Sequence, residues 1–435
     1  MGGPSRQFAA QSAVIRAGSV RAMHSFLRFR FMNLGIVLRN IGVTLTGLVN
    51  AGRRPGWRLS FLTLAWLASV SLLTLPAPLQ AAATAEELRS HSVPYRNEKV
   101  PEGPWSIHVI RMDLHNPDYE LHTMLSDGVI SGMTTLSEQI KALPQELGRP
   151  IAAVNGDFYE NGSKPYRGDP RGLQIVNGEL VSGVSEYACF WMDVEGKPHT
   201  DIVKSLFRVI WPDGTGTPIG LNEERHNDSA ILYTPTMGPS TGTKTGGREI
   251  ILEPVEKDGL PLRIGVKFEA RVKEVRDAGD TALRPGILIV SLGPQLLVDA
   301  PAVKEGDVVQ VSTKTIPDLA GTRTAIGGGP RLVVDGKPVG GWKSPTQRHP
   351  RTAIGWNDQS LYLVLVDGRQ PGLSVGMSFQ ELASYLIKLG CTTAMNLDGG
   401  GSASMWAFGQ IVNSPSEGQE RPIANGLVVV KKPKR

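Results

Sequence analysis

LYLVLVDGRQPGLSVGMSFQELASYLIKLGCTTAMNLD, residues 361–398, contains a strand signal, a helix signal and a second strand signal in succession. Its first part, LYLVLVD (361–367), is an apolar run that ends in a charge, which predicts a buried strand. A capping box at 378–381 and apolar residues with helical spacing up to Gly390 predict a helix. The segment TAMNLD (393–398) predicts a second strand. Strand, helix and strand in this order indicate one crossover unit.

The chain on either side of this unit is rich in strand and turn signals. Alternating polar and apolar residues predict a β-hairpin from 106–114 and 119–126, and a second hairpin is predicted around the Asn-Gly pair at 177–178. Residues 240–320 contain short strands between turns and are predicted to be a small all-β insertion within a main domain at 84–435. Hairpins beside one crossover unit predict an α+β fold with a mixed twisted β-sheet, flanking helices and this insertion.

The N-terminal residues 1–83 have the pattern of an export leader. Residues 59–75, LSFLTLAWLASVSLLTL, are uncharged and mostly apolar; arginines precede them and an alanine cluster follows at 81–83. This combination is typical of a secretory signal peptide. The protein is therefore predicted to be exported, either periplasmic or secreted from a bacterial envelope. An uncleaved leader would be its only predicted contact with a membrane.

The charge and the cysteine content exclude two classes of protein. Residues 1–83 contain nine arginines and no Lys, Asp or Glu, so the 46 basic and 41 acidic residues of the whole chain leave 37 basic and 41 acidic residues after position 83. This part lacks the basic face of a nucleic-acid-binding protein, so no nucleic acid is predicted as a partner. Two cysteines, Cys189 and Cys391, are too few for a disulfide framework or a cysteine-only zinc site, and whether they pair is left open.

Polar residues collect where the predicted apolar strands end. Carboxylate pairs at such positions suit glycoside cleavage, with one acting as acid and the other as nucleophile or base. Arginines suit phosphate binding, and the glycine run at 399–401 offers N–H groups to an oxyanion. An arginine–aspartate network that only satisfies itself at the rim of a sheet is the alternative. These blocks lie at 155–159, 327–330, 349–355, 367–369, 396–402 and 420–425.

The sequence lacks the motifs that are typical of metal and cofactor sites. It contains no H-E-x-x-H and no clustered histidines, and the glycine run does not match a P-loop or a dinucleotide-binding fingerprint. No twelve-residue loop pattern supports a bound Ca²⁺ or Mg²⁺. No metal and no cofactor are therefore predicted.

Six motifs in the strand-end blocks carry a family resemblance. They are AVNGDFY at 153–159, GGGPRLVVDG at 327–336, HPRTAIG at 349–355, LVDGR at 365–369, NLDGGGSASM at 396–405 and ERPIANGLVV at 420–429. In order and spacing they resemble the phosphodiester glycosidase family, over about 105–431. The resemblance implies an α+β fold and an exported enzyme that hydrolyses a sugar-1-phosphate diester. One departure is Ala403, where many members carry a hydroxyl group.

The motifs assign candidate site residues. Asp398 and Asp367 are predicted as the acid/base or nucleophile pair, with Asp157 and Glu420 as alternatives. The separation of the two carboxyl groups, which the sequence leaves open, would distinguish a retaining from an inverting mechanism. The arginines are expected to hold a phosphate and the glycines to donate amides. The predicted substrate-binding residues are Asn155, Arg351, Thr352, Arg369, Asn396, Gly399, Gly400, Gly401, Ser402, Arg421 and Asn425.

The predicted function is that of an exported hydrolase, which cleaves a glycosyl phosphodiester or a related glycosidic bond in an envelope or exopolysaccharide glycan. Its predicted partner is a carbohydrate or sugar-phosphate substrate. Two alternatives stay open: a non-catalytic glycan-binding or export protein of an exopolysaccharide pathway, and a glycosidase for non-phosphorylated acidic sugars. In the last case the arginines would bind sugar carboxylates.

Overall fold

Strands dominate the secondary structure. The computed structural model describes residues 93–256, 259–344 and 346–433, so the predicted leader at 1–83 lies outside the described residues. Within these ranges there are 27 β-strands and two α-helices; α1 spans Leu136–Lys141 and α2 spans Phe379–Lys388. In this part of the chain, no helix has the length and apolar character needed to cross a membrane.

The described strands are two to ten residues long. Such short strands are stable only when they are paired in sheets. In chain order they are β1 Tyr95–Val100, β2 Trp105–Asp113, β3 Tyr119–Leu125, β4 Arg149–Asn155, β5 Gln174–Val176, β6 Glu179–Ser182, β7 Cys189–Met192, β8 Pro198–Asp201, β9 Lys204–Ser205, β10 Arg208–Ile210, β11 Gly216–Pro218, β12 Gly220–Leu221, β13 Ala230–Tyr233, β14 Arg248–Pro254, β15 Lys267–Arg276, β16 Leu288–Leu292, β17 Val308–Ser312, β18 Thr315–Ile316, β19 Thr324–Gly327, β20 Arg331–Val334, β21 Lys337–Pro338, β22 Arg351–Trp356, β23 Ser360–Val366, β24 Thr393–Asn396, β25 Met405–Ala407, β26 Gln410–Ile411 and β27 Asn425–Lys431.

The segment 361–398 lies at the centre of a seven-stranded sheet of order β1-β2-β23-β22-β24-β20-β21. β23, α2 and β24 confirm its predicted strand, helix and strand. β23 and β24 run in the same direction but do not pair, because β22 lies between them and is antiparallel to both. Every pair of described strands in this sheet is antiparallel, so the mixed sheet predicted around the crossover is wrong.

The predicted α+β class is also wrong, because the described structure is mostly β, with 40% strand and 10% helix. The predicted capping box forms, with Ser378 and Glu381 at the start of α2, and Thr135 with Glu138 forms another at the start of α1. These are the two α-helices of the described ranges. Helix signals are local and readable in the sequence, whereas strands of two to four residues have no periodicity of their own. The sequence therefore underestimates the strand content.

Two five-stranded sheets have the orders β26-β25-β4-β27-β3 and β6-β5-β19-β7-β8. The hairpin predicted from 106–114 and 119–126 is wrong in its pairing, since β2 pairs with β1 and β23, whereas β3 pairs with β27 in a different sheet. The turn signal between the two strands says nothing about their partners. The second hairpin is confirmed: β5 and β6 pair across Asn177 and Gly178, which both have a positive φ.

A sheet of eight described strands, of order β11-β10-β17-β15-β14-β16-β13-β12, takes its strands from residues 208–312. Its pairs are antiparallel except for β12 with β13, and β9 and β18 form a separate small sheet. The large sheet packs with β5, β6 and β19 around one hydrophobic cluster. The division into a main domain at 84–435 and an insertion at 240–320 stays a prediction, since this sheet also includes strands before residue 240.

The seven-stranded sheet is covered on both faces, which places the ends of β4 and β24 side by side. On one face Ile354 and Leu363 belong to the same hydrophobic cluster as Val154 of β4 and Leu427 of β27. On the other face α2 packs through residues such as Leu382. This double cover explains why every residue of β23 is buried. Each fully buried aliphatic side chain contributes roughly 1.5–3 kcal/mol to the stability of this arrangement.

Candidate functional site

The C-terminal ends of β4 and β24 meet at two aspartates, Asp157 and Asp398. The Asp398 N–H donates to Gly156 O at 2.9 Å, and Asn155 Nδ2 donates to Asp398 O at 2.7 Å. The Asp157 N–H donates to Asn425 Oδ1 at 2.8 Å. These bonds hold the two loops against each other, and the carboxyl groups are close enough for the charge of Asp398 to act on Asp157.

Four of the predicted binding residues are buried and hold the backbone of the site: Asn155, Thr352, Asn396 and Asn425. Asn155 Oδ1 accepts from Thr352 Oγ1 at 2.7 Å. Asn396 Nδ2 donates to Gly329 O at 2.9 Å, which ties β24 to the loop before β20. Because these bonds go to protein atoms, the four side chains position the loops that carry the two aspartates.

The Asp157 carboxyl group lies in a tight, buried environment. Its Oδ1 accepts from the Phe158 N–H and its Oδ2 from the Gly172 N–H, each at 2.7 Å. Gly327 leaves room for this group, since a Cβ there would lie 2.2 Å from Oδ2. Burial, followed by the charge of Asp398, raises the pKa of Asp157 to about 7, although the two N–H groups favour the charged form. The group therefore retains a proton in a large fraction of molecules at neutral pH.

Asp398 is partly exposed and is surrounded by groups that favour its charge. Burial raises the pKa of Asp398 too, but the Ser402 hydroxyl, the N–H of the following residue at 2.8 Å and the charges of Arg421 and Arg171 oppose this rise. Two arginine charges thus favour the charged form of Asp398, and Asp157 is the more deeply buried of the two carboxyl groups. Carboxyl pairs whose environments separate their pKa values are typical of acid/base sites.

Two arginines flank the glycine run beside the carboxyl pair. Arg369 lies next to Gly400, where a Cβ would be 3.0 Å from its Nη2, and it is exposed with a φ of 61°. Arg421 lies against Gly401 and forms an ion pair with Glu417. Guanidinium groups bind phosphate through paired N–H donors, so this arrangement is suited to a phosphate group next to the carboxylate.

Arg351, the third predicted arginine, is buried and bound to the protein. Its Nε donates to Met377 O and its Nη2 to Gln347 O, each at 2.9 Å, and its guanidinium lies 4.0 Å from the centre of the Phe379 ring. Burial, followed by the charge of Arg369, lowers the pKa of Arg351 to about 10. Arg351 therefore adds positive charge near Arg369 while two of its nitrogens are already used.

Most amides of the glycine run are used within the protein. The Gly399 N–H donates to the preceding carboxylate, the Gly400 N–H to Pro350 O at 2.9 Å and the Ser402 N–H to Gly399 O at 3.1 Å. The Gly401 N–H has no hydrogen-bond partner among the described residues. The run therefore leaves one free amide for a ligand. A Cβ at Gly399 would lie 2.6 Å from Pro350 O, whereas Gly400 and Gly401 face the two guanidinium groups.

Asp367 belongs to a separate buried network with His108. Its Oδ2 lies 2.8 Å from His108 Nε2, and its Oδ1 accepts from the Ser414 N–H at 2.9 Å. The other ring nitrogen of His108 is 2.9 Å from the Tyr95 hydroxyl. Burial alone would raise the pKa of Asp367, but the hydrogen bond and charge of His108 outweigh it and lower the pKa. The bonds of Asp367 thus hold β23 to β2 rather than linking it to Asp398.

Asp367→Asn is expected to lower the free energy of unfolding by about 3 kcal/mol, because it removes one member of a buried pair whose side chains are only 4% and 1% exposed. Urea unfolding at pH 7 measures this loss. The matched control is Asp193→Asn, which breaks an exposed contact with His199 of 2.7 Å and should cost less than about 1 kcal/mol. Equal losses in the two variants would contradict the structural role of Asp367.

Glu420, the last predicted catalytic residue, contacts α1. Its Oε1 accepts from the Ser137 N–H at 3.1 Å. Ser137 lies in the first turn of α1, where N–H groups lack partners within the helix. The Glu420 carboxylate therefore stabilises a helix N-terminus and ties the last motif to α1.

Arg171 is a site residue that the motifs did not identify. Its charge opposes the rise in pKa of both Asp157 and Asp398, its side chain is about half exposed, and it lies 3.5 Å from Glu160. The chain reverses between Phe158 and Arg171, whose N–H donates to Phe158 O at 2.9 Å. No local pattern marks this arginine, because only the chain reversal brings it to the carboxyl pair.

Tyr159 is a second such residue. Its hydroxyl lies 3.4 Å from Ser402 Oγ and donates to Pro422 O at 3.3 Å. It also interacts with Arg421 and contributes to the raised pKa of that guanidinium. Tyr159 lies in the AVNGDFY motif, and its place in that motif was the sequence signal that could have identified it as a site residue.

A cavity of about 290 Å³ lies beside the segment that follows Asp157 in the chain. It is lined by Glu160, by residues 162–166 and by Glu224, Arg225, Gly242 and Lys244. Asp157 and Asp398 do not line it. Among the described residues, no group of three or more His, Cys, Asp and Glu side chains is arranged to hold a metal ion.

Residues 268–430 match the model of a known family, phosphodiester glycosidase. The match includes Asp398 and both flanking arginines, Arg369 and Arg421. It begins after Asp157, so that residue comes to the site from outside the matched segment.

Known proteins share part of the sequence and the fold. The SPbeta prophage-derived uncharacterized protein YomE of Bacillus subtilis (strain 168) is 35% identical over 114 residues, which are 25% of this chain and 18% of YomE. The chain thus spans less than a fifth of that relative. Two solved structures superpose on this chain. A hypothetical protein from Synechocystis has a TM-score of 0.62 and 20% sequence identity, and the match covers 78% of this chain and 61% of that one. A Burkholderia pseudomallei K96243 protein, described as a candidate exported protein, has a TM-score of 0.59 and 23% sequence identity, and the match covers 75% of this chain and 74% of that one. Both show a shared fold.

Proposed function

The chain carries a phosphodiester glycosidase family domain at residues 268–430, and from this premise we propose that it hydrolyses the bond between a sugar and a phosphodiester. The substrate class is a sugar-1-phosphate diester of an envelope or exopolysaccharide glycan. One observation carries the proposal: two aspartates, Asp398 and the buried Asp157 whose pKa is raised to about 7, lie beside Arg369 and Arg421.

The two arginines suit the leaving group of this reaction. A phosphodiester has one negative charge, and further negative charge builds up on the bridging oxygen as its bond to the sugar breaks, until that oxygen takes up a proton. Arg369 and Arg421 would therefore bind the departing phosphate more tightly than the intact diester. Interactions that strengthen along the reaction lower its barrier.

The two aspartates suit the two halves of glycoside hydrolysis. Asp157 would donate its proton to the bridging oxygen as the bond to the sugar breaks. Asp398 would act on the anomeric carbon, either by direct attack or by taking a proton from the water that adds there. The products are the free sugar, which gains the hydroxyl of water, and a phosphate monoester, which keeps the bridging oxygen.

The direct test is incubation of the purified protein with UDP-N-acetylglucosamine and a panel of sugar-1-phosphodiesters, with and without EDTA. The expected result is release of free sugar without release of inorganic phosphate. Binding of these compounds without any release would favour the glycan-binding alternative. Release only from aryl glycosides of acidic sugars would favour a glycosidase for non-phosphorylated acidic sugars.

Arg369→Ala and Arg421→Ala are each expected to lower kcat/KM for the phosphodiester about 100-fold, because each removes charge-assisted bonds to the phosphate. For an uncharged aryl glycoside of the same sugar, the loss should be under about 3-fold. Arg331→Ala is the control, since this arginine pairs with Asp201 at 3.1 Å on another sheet edge. Equal losses on both substrates would show that the arginines do not bind the phosphate.

The proposal includes export to the periplasm or the medium. The leader predicted at 1–83 supports it, as does the description of the Burkholderia protein that shares the fold. Cell fractionation of a producing strain, with antibody detection, tests this part of the proposal.

A further inference from the structure

An exposed aromatic pair lies beside the proposed catalytic aspartates. The rings of Phe158 and Tyr187 are 6.4 Å apart between centroids and inclined at 44°. Tyr187 is 53% exposed, and among the described residues it is the one aromatic ring in the set of exposed large hydrophobic side chains. Phe158 is half-buried under it.

Contacts on both sides connect this pair to Asp157. Phe158 follows Asp157 in sequence and donates its N–H to Asp157 Oδ1 at 2.7 Å. On the other side, the Tyr187 N–H donates to Ser185 Oγ at 3.3 Å. A Cβ at Gly172 would lie 3.5 Å from the same Ser185 oxygen and 3.0 Å from Asp157 Oδ2. The loop that carries Tyr187 therefore borders the carboxyl group of Asp157.

The position of Tyr187 is held by the sheet next to it. Two residues further on, Cys189 begins β7 and pairs with Gly327 of β19. Gly327 is the residue that packs against the Asp157 carboxyl group. Tyr187 and the Asp157 carboxyl group thus both lie next to the same pair of strands, β7 and β19.

We propose that Phe158 and Tyr187 form a binding surface for a neutral pyranose ring, the sugar whose anomeric bond is cleaved. A pyranose has an apolar C–H face, and an aromatic face that covers it removes both surfaces from water. Removing apolar surface of both partners from water favours binding. The phosphate then lies toward Arg369 and Arg421, and the sugar toward Tyr187. This assignment rests on the proposed function.

The test compares Tyr187→Ala with Tyr187→Phe, which keeps the ring and removes the hydroxyl. Tyr187→Ala is expected to raise KM for the phosphodiester about 10-fold while kcat changes less than about 3-fold, and Tyr187→Phe should stay within 2-fold of the wild type. Val194→Ala, at an exposed apolar residue beyond β7, is the control and should change nothing. A Tyr187→Phe variant as weak as Tyr187→Ala would overturn the stacking role.

A second readout separates this proposal from the proposed function. Binding of N-acetylglucosamine and N-acetylglucosamine-1-phosphate is measured by ligand-observed NMR on the wild type and on each Tyr187 variant. Binding that weakens about 10-fold in Tyr187→Ala, without any hydrolysis, would support the sugar surface and contradict the hydrolase. Hydrolysis with KM and sugar binding unchanged in Tyr187→Ala would support the hydrolase and contradict the sugar surface. Absence of sugar binding by the wild type would overturn the surface.

Discussion

Asp398→Asn is expected to lower kcat for hydrolysis of a sugar-1-phosphodiester by about 10³-fold or more. Asparagine keeps the size of the side chain but cannot attack the anomeric carbon or accept a proton from water. Removal of a group with either role costs about 10²–10⁴-fold or more in known enzymes. Burial raises the pKa of Asp398, while the Ser402 hydroxyl and the charges of Arg421 and Arg171 favour its charged form. Initial rates of sugar release at saturating substrate measure the effect.

Two variants make this result specific. Asp228→Asn removes an exposed carboxylate elsewhere and should leave kcat unchanged. Asp367→Asn separates the two assignments of the catalytic pair, since its expected effect is on the free energy of unfolding. If Asp367→Asn loses kcat about 10³-fold while it remains folded, and Asp398→Asn does not, the assignment of Asp398 is wrong.

Asp157→Asn is expected to change how stability depends on pH. In the folded protein the pKa of Asp157 is about 7, whereas in an unfolded chain an aspartate has a pKa of about 4. Between these values the folded state holds a proton that the unfolded state has lost, so the wild type loses stability as pH rises from 4 to 7. A difference of about 3 pKa units corresponds to about 4 kcal/mol. The variant does not titrate and should lack this loss.

The measurement is urea unfolding of both proteins at several values between pH 4 and pH 8. At pH 4 the variant should be less stable by about 1–3 kcal/mol, because an asparagine cannot accept from both the Phe158 and the Gly172 N–H. As pH rises, the difference should move in favour of the variant by about 4 kcal/mol. A difference that stays constant across this range would show that Asp157 titrates as an ordinary carboxyl group.

Elements with local signals could be predicted from the sequence. The capping box of Ser378 and Glu381 begins α2, and the Asn177–Gly178 pair joins β5 to β6. In each case the residues that carry the signal lie within a few positions of one another. The pairing of β2 with β23 and of β3 with β27 could not be predicted, because the two strands of each pair lie more than 200 residues apart in the chain.

The candidate site shows the same division. Asp157, Asp367 and Asp398 all follow apolar strands, and the pattern of the sequence treats them alike. The structure places Asp157 and Asp398 together, whereas Asp367 contacts His108. Arg171 reaches the site only because the chain reverses after Phe158.

Local patterns in the sequence predict helix α2 and several strands, and the strand-end motifs carry the resemblance to a phosphodiester glycosidase. The tertiary structure alone decided that the described fold is mostly β, that β22 separates β23 from β24, and which carboxyl groups share an environment. The physical reason is that helix caps and turns depend on hydrogen bonds between near neighbours in sequence. Strand pairing and pKa values depend instead on burial and charge supplied by distant residues, which come together only when the sheets pack.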